Sequence, residues 1–257
     1  MQIRDSVAII VGGVSGMARA TAELLAEEGA RVAIFDLASS KGEEVAGTLP
    51  GDAIFRAIDI MDYDGVGTAI EEVFGHYGVL HIGVNLAGGQ IGGPARTFSK
   101  KGPHDLDNFA KTLELNTVGS FNFLRLCAEQ MAKNEPNDDA ERGCVISTAS
   151  IAAFEGQIGQ VSYAAAKSAI AAMSFVAARD LGNIGVRVNA IAPSLFNTGL
   201  VQQAPQEMKD ALVAGAAFPN RMGEPREYAL LAKAIIENPM LNGGTIRLDA
   251  AQRFGPR

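Results

Sequence analysis

The sequence predicts an α/β fold, a doubly wound parallel sheet of about seven strands with helices on both faces, built as a single domain over residues 1–257. Three observations predict it. Short β-branched runs alternate with longer helical patterns along almost the whole chain. Most of the strand-like runs are continuously apolar, as strands covered on both faces are. No repeat of fixed period and no low-complexity linker marks off a second unit. Strands that alternate with helices need crossover connections, which are right-handed and build parallel sheets.

The elements follow in order. A strand at Val7–Val11 runs through a glycine-rich turn into a helix from Gly16 to Glu28, and Arg31–Asp36 is the second strand. A short helix, Gly42–Leu49, leads to a strand at Ala53–Ile58. Asp62 then caps a helix over Asp64–Tyr77, since its side chain can accept from the free amides of the first turn. Ile82–Asn85 is the fourth strand. After a Gly-, Pro- and Lys-rich stretch, Gly88–His104, Asp105 caps one long helix expected across Leu106–Asn134. Cys144–Ser147, a helix at Ser162–Leu181 and a strand at Arg187–Ile191 come next. A second irregular stretch, Ser194–Pro225, ends where Pro225 opens a helix over Arg226–Glu237, a position at which a missing N–H costs nothing. Thr245–Leu248 closes the sheet. Loops as long as these two are expected to be lids or binding segments.

Composition narrows the function classes. Twenty-two Lys and Arg against 29 Asp and Glu leave a net charge of −7, so the broad basic field that nucleic acid requires is missing. No unbroken apolar run reaches the roughly 18 residues of a membrane span, and the start shows no signal-peptide pattern. Two cysteines, Cys127 and Cys144, form no disulfide framework, which suits a reducing, cytoplasmic setting. The three histidines are scattered, and no metal site is expected.

Ligands in doubly wound sheets bind beyond the carboxyl ends of the strands, so candidate residues are sought there. Directly after the first strand stands Gly12-Gly13-Val14-Ser15-Gly16-Met17-Ala18. Glycines let backbone N–H groups approach a pyrophosphate, and the following helix N-terminus attracts its charge. Asp36 ends the second strand, 20 residues after Gly16. A carboxylate there accepts from both adenine-ribose hydroxyls and repels a 2′-phosphate, and no Arg or Lys at positions 37 to 40 offsets it. NAD is therefore expected over NADP. Asp59, after the third strand, suits the adenine edge, and Leu86-Ala87-Gly88 after the fourth keeps the backbone approachable.

The chemistry is expected from Ser150, Tyr163 and Lys167. Tyr163 and Lys167 stand at i and i+4, on one face of a helix. Oxidising a secondary alcohol requires a base for its hydroxyl proton as hydride leaves carbon. A free tyrosine ionises near pH ~10 and is a poor base at neutrality. A lysine ammonium beside it, together with an oxidised nicotinamide, favours the phenolate. Ser150 is placed to orient the substrate oxygen. The helix is almost apolar all round, so it is expected to be buried on several sides, against the sheet and against another subunit.

The glycine turn, Asn85-Leu-Ala-Gly88, Asn116, Ser150 and Tyr163-x-x-x-Lys167 together resemble the short-chain dehydrogenase/reductase family, in its order and spacing over essentially the whole chain. A Rossmann-type sheet is implied. Thr148–Gln157, Asn134-Glu-Pro136 and Ile235–Gly243 more narrowly resemble the type-2 3-hydroxyacyl-CoA dehydrogenases of that family. The resemblance implies Ser150, Tyr163 and Lys167 as catalytic serine, base and lysine, with Asn116 holding a water of a proton relay. It implies Ser15, Met17, Asp36, Asp59, Ile60 and Leu86 around the adenosine half of NAD. Pro193, Phe196 and Thr198 fall to the nicotinamide half, and Gln157 faces the substrate. The segment Ser99–Gly102, with Lys100 and Lys101, resembles a loop beside an acyl-CoA tail. A homotetramer acting on an acyl-CoA or another secondary alcohol, a hydroxysteroid included, is expected.

Four departures from the family pattern stand out. Val11 replaces a threonine whose hydroxyl ties the glycine turn, and Ala18 replaces the last glycine. Ser194 follows Pro193 where glycine is usual, and Asp249-Ala250-Ala251 stands for Asp-Gly-Gly or Asp-Gly-Ala. Rival readings are a 3-ketoacyl-thioester reductase, whose preference for NADPH Asp36 opposes, and an NAD-binding scaffold subunit, which has no need of Tyr163 or Lys167. A serine hydrolase lacks its Gly-x-Ser-x-Gly turn here.

Overall fold

The computed structural model describes residues 1–199 and 204–255. In chain order the elements are β1 (Val7–Val11), α1 (Gly16–Glu27), β2 (Arg31–Asp36), α2 (Gly42–Ala46), β3 (Ile54–Ala57), α3 (Tyr63–Tyr77) and β4 (Ile82–Asn85). A two-residue hairpin, β5 (Phe98–Ser99) and β6 (Gly102–Pro103), follows. Then come α4 (Leu106–Leu113), α5 (Gly119–Met131), β7 (Gly143–Thr148), α6 (Val161–Leu181), β8 (Val186–Pro193), α7 (Gln206–Val213), α8 (Pro225–Glu237) and β9 (Thr245–Leu248). The main sheet has the order β3-β2-β1-β4-β7-β8-β9 and is parallel throughout. After β3 the chain crosses back over β1 to lay down β4. That reversal opens a crevice between β1 and β4 at the carboxyl ends of the strands.

The two faces of the sheet are covered because the strands alternate their side chains. Ala8 and Ile10 of β1 join Leu25, Val45, Tyr228 and Ile235 beneath α1, α2 and α8. Val7, Ile9 and Val11 point the other way, among Val66, Ile70, Phe123 and Met131 of α3 and α5. Both faces are apolar, which is why β1 reads as an unbroken hydrophobic run. Asp62 and Asp105 do cap their helices, accepting from Gly65 N and Asn108 N respectively. Pro225 opens α8 inside a capping box between Glu224 and Glu227.

Three expectations are corrected. The single long helix over 106–134 is two helices, interrupted by a π turn at Glu114–Val118. Its periodicity carries straight through the break, so a pattern of apolar residues does not reveal it. The irregular stretch 194–225 contains α7, while residues 200–203 of that stretch lie outside the described residues. Finally, Val161–Ile184 is long and apolar enough to cross a membrane by length and composition, because three scattered charges hide it from a search for unbroken runs. In the fold it packs on the sheet, and one face of it is buried within this chain rather than the several sides expected. Ser162, Ala166, Ile170, Ser174 and Ala178, one every four residues, form a buried ridge of mostly small side chains, and α6 lies on β8. Phe175 and Val176 on its other side are half-exposed.

Candidate active site

A cleft of 640 Å³ lies across the carboxyl ends of β1, β2, β3 and β4. Gly12, Ser15, Gly16, Met17, Asp36, Asp59, Ile60, Leu86, Ala87, Gly88 and Thr198 all line it. So do Leu37, Met61, Ile91 and Leu115, which carry no motif and were invisible in the sequence. Gly12 holds a φ of +80°, a conformation that glycine adopts without strain, and its N–H donates to Phe35 O at 2.8 Å. The turn is thereby laid over the end of β2. Asp36 ties it further: Oδ2 accepts from Val14 N–H at 3.2 Å and Oδ1 from Leu37 N–H at 2.8 Å. These bonds do the tying for which Val11 has no hydroxyl. Ser15 precedes α1 and makes no side-chain bond to it, leaving its hydroxyl and the first amides of the helix for an anion. Asp59 Oδ1 accepts from Met61 N–H at 2.9 Å, which shapes the turn after β3. Amides that converge beside an uncommitted hydroxyl, with a fixed carboxylate at the far end, suit a dinucleotide.

Gly88 joins this cleft to the chemical end. A Cβ on Gly88 would lie 3.0 Å from Lys167 Nζ and would overlap Asn116 Oδ1, so only glycine permits the approach. Lys167 is fully buried and donates to Thr148 O at 2.8 Å, with its Nζ 5.6 Å from the centre of the Tyr163 ring. Burial pulls this ammonium down to about 8, so at neutral pH the cation persists. Burial pushes the Tyr163 phenol up, and a hydrogen bond with the Ser150 side chain works the other way. Ser150 Oγ also accepts from Ala152 N–H at 3.1 Å, capping the short turn Ile151–Ala153. The serine is thus held at the end of β7 against a helix that begins eleven residues later.

Asn116 sits in the π turn, fully buried. Its Nδ2 donates to Gly89 O at 2.7 Å and Thr112 O at 2.8 Å, and its Oδ1 accepts from Gly89 N–H at 3.1 Å. π turns inside α-helices mark functional sites often enough to be informative. Thr148 was missed by sequence reasoning, though its place at the end of β7 was a signal. Its one hydroxyl proton goes to Asn85 O at 2.8 Å, so the buried Tyr228 phenol must be the donor in the 2.7 Å bond between them. Tyr228, distant on α8, offered no local signal at all.

A family model described as short chain dehydrogenase matches residues 6–209. The chain is a short-chain dehydrogenase. The chain is 44% identical to the 3-hydroxyacyl-CoA dehydrogenase type-2 of Drosophila melanogaster, over 99% of this chain and 100% of the relative. It is 43% identical to the Homo sapiens protein of the same name, over 99% and 97%. A crystal structure of 3-hydroxyacyl-CoA dehydrogenase type-2 from Mycobacterium avium superposes with a TM-score of 0.93 at 39% identity, covering all of both chains. An oxidoreductase that uses a nicotinamide cofactor follows from that membership.

The remaining expected residues of this short-chain dehydrogenase stand away from the main cleft. Gln157 lines a separate depression of 410 Å³ with Arg96, Phe98, Ile158, Val161 and Ala164. The irregular stretch 88–104 reaches that depression through Ala95 N–H, which donates to Gly159 O at 2.9 Å. Lys100 and Lys101 form the exposed tip of the β5–β6 hairpin. Pro193 is buried at the end of β8, and Phe196 is packed in the core against Gly223, where a Cβ would strike its ring. Neither side chain lines the cleft. Ser194, in the usual place of a glycine, donates its N–H to Leu248 O at 3.1 Å. Ala250 and Ala251 hold φ of +49° and +55°, the left-handed region in which the family's glycines would be unstrained.

Proposed function

We propose that this short-chain dehydrogenase uses NAD to interconvert a secondary alcohol and its ketone, the alcohol being the 3-hydroxyl of an acyl-CoA thioester. One observation carries the reading: Ser150 bonds Tyr163, Tyr163 lies beside Lys167, and Lys167 reaches Gly88, which lines a cleft that Asp36 also lines. A bound oxidised nicotinamide supplies the carbon that accepts hydride and a positive ring close to the phenol. Tyr163 takes the hydroxyl proton of the alcohol. Lys167 stabilises the phenolate so formed and is placed to hold the adjoining ribose. Ser150 orients the substrate oxygen, and Asn116, bonded to Gly89, is placed to hold a water through which the proton passes from Lys167 to solvent. In the reducing direction Tyr163 gives the proton back.

Asp36 supports NAD over NADP, because a 2′-phosphate would meet a carboxylate already fixed by two amides. The acyl-CoA substrate is supported by the name and the full-length similarity of the relatives. Initial rates with NAD and NADP on 3-hydroxybutyryl-CoA, a branched 3-hydroxyacyl-CoA and a steroid alcohol test both. NAD with the acyl-CoA is expected to be fastest, and activity confined to NADP would overturn the Asp36 argument. Tyr163→Phe is expected to lower kcat by roughly 10²–10⁴-fold, the usual worth of a positioned acid–base group, while NAD still binds. Brisk turnover by a folded Tyr163→Phe protein would overturn the mechanism.

A homotetramer working in a reducing, cytoplasmic compartment completes the proposal. Val118 at the end of the π turn, Phe121 on α5, and Phe175 and Val176 on α6 are exposed apolar side chains that a second copy would cover. Light scattering is expected to give four chains per particle, and a monomer would remove that partner from the account.

A further inference from the structure

We infer that Glu155 and Arg247 are positioning residues, which clasp the two walls of the substrate side together through the segment 249–254. The inference rests on the dehydrogenase reading above and adds to it which residues hold the substrate half in place. Arg247, on β9, pairs with Glu155 Oε1 at 2.7 Å and with Asp249 Oδ2 at 2.7 Å, and its guanidinium lies 5.4 Å from the centre of the Phe154 ring. Arg253 completes the ring of charges, 3.3 Å from Glu155 and 3.2 Å from Asp249. Glu155 Oε2 also accepts from Phe254 N–H at 3.1 Å. The bonds to Glu155 and the contact with the Phe154 ring tie this group to the segment that runs from Ser150 to Gln157.

The same six residues grip the opposite wall. Ala250 O accepts from Ala217 N–H at 3.0 Å, Gln252 Nε2 donates to Leu212 O at 2.9 Å, and Arg253 N–H donates to Gly215 O at 3.4 Å. That wall is the end of α7 and the turn beyond it, within the stretch 194–225. The left-handed turn at Ala250 and Ala251 is what allows one short segment to face both ways. Two alanines held where glycine would be unstrained are tolerated only where the surroundings over-determine the backbone, and the clasp supplies that. Side chains that share partners lose less freedom for each pair than isolated surface pairs, so a four-membered ring of charges positions better than one bridge. Neither Glu155 nor Arg247 lines the cofactor cleft. Loss of the clasp should therefore reach the alcohol and spare NAD.

Glu155→Gln, Arg247→Met and the double variant test this with 3-hydroxybutyryl-CoA and NAD. Each is expected to raise the KM for the alcohol roughly tenfold, with kcat, the KM for NAD and the pH profile held within about twofold, the pattern of lost uniform binding. The double variant is expected to fall short of the product of the two single effects, because they share one pair while each has further partners. An equal rise in both KM values, or fully additive effects, would overturn the clasp. Hydrogen exchange gives a readout that needs no turnover: amides at 154–157 and 212–218 should exchange faster together in Glu155→Gln, with α6 unchanged. Loosening of 154–157 alone would also overturn it. Should either variant be unstable, the exposed Arg253→Ala is expected to move both segments the same way by a smaller factor, and no change there counts against the clasp. A wild-type enzyme that oxidises no secondary alcohol would sink the reading of the site instead, and exchange would then decide the clasp by itself.

Discussion

Ala250 and Ala251 show how much one backbone angle matters. At φ of +49° and +55° each Cβ crowds the following carbonyl, at a cost of roughly 1–2 kcal/mol per residue for an L-amino acid. Glycine would remove that cost and return about 0.5–1 kcal/mol of it as extra freedom in the unfolded chain. Ala250→Gly is therefore expected to stabilise the protein by about 0.5–1 kcal/mol, read as a higher denaturant midpoint with an unchanged slope. At the same scale the pairing of Tyr163 with Lys167 was legible, since a helix brings i and i+4 together whatever surrounds it. The contact between Ser150 and Tyr163 was not, because it depends on where β7 ends relative to α6. Nor was the depth of Lys167, whose burial rather than its spacing brings its ammonium to about 8.

The π turn between α4 and α5 belongs to the scale of elements. One added residue in the winding at Glu114–Val118 coincides with the inward position of Asn116, whose amide then bonds both Thr112 and Gly89. This joins the helix to the loop after β4, next to Gly88, which lines the cleft. Asn116→Ala would leave the buried Thr112 carbonyl and the half-buried Gly89 backbone without those partners and is expected to cost about 1–3 kcal/mol, measured by urea unfolding. A smaller loss would mean that water replaces the amide. Sequence periodicity could not locate the break, since apolar positions keep nearly the same spacing through a single wide turn. In α6 the reverse held: its apolar surround was plain, and only packing revealed that the small ridge from Ser162 to Ala178 is the inner face.

Across the whole molecule, the order of strands places the site. β1 and β4 are neighbours although two strands separate them in sequence, and His81 helps to seat them. Its Nδ1 accepts from Val7 N–H at 3.1 Å, which requires the neutral ring. Burial, with the nearby Arg31 guanidinium, lowers its pKa in the fold below the ordinary value near 6.5. Below about pH 6.5 the unfolded chain takes up a proton that the folded chain refuses, so stability should fall with pH until the folded value is reached. Urea unfolding at neutral and mildly acidic pH checks this. His81→Leu is expected to be weaker at neutral pH yet to lose less on acidification, and an unchanged loss would assign the pH dependence elsewhere.

The alternation of apolar runs with helices was sufficient to set the sheet class, because strands that must be covered on both faces have few other solutions. The glycine turn, Asp36 and the tyrosine–lysine pair were equally readable, since local geometry alone brings their atoms into range. Tertiary structure decided what depends on distant chain meeting in space: the hydrogen bond from Tyr228 to Thr148, the bare backbone of Gly88 against Lys167, and the bridging of residues 155 and 212–218 by 249–254. Those contacts pair residues about 40 to 100 positions apart, and no periodicity or motif encodes which pair will touch.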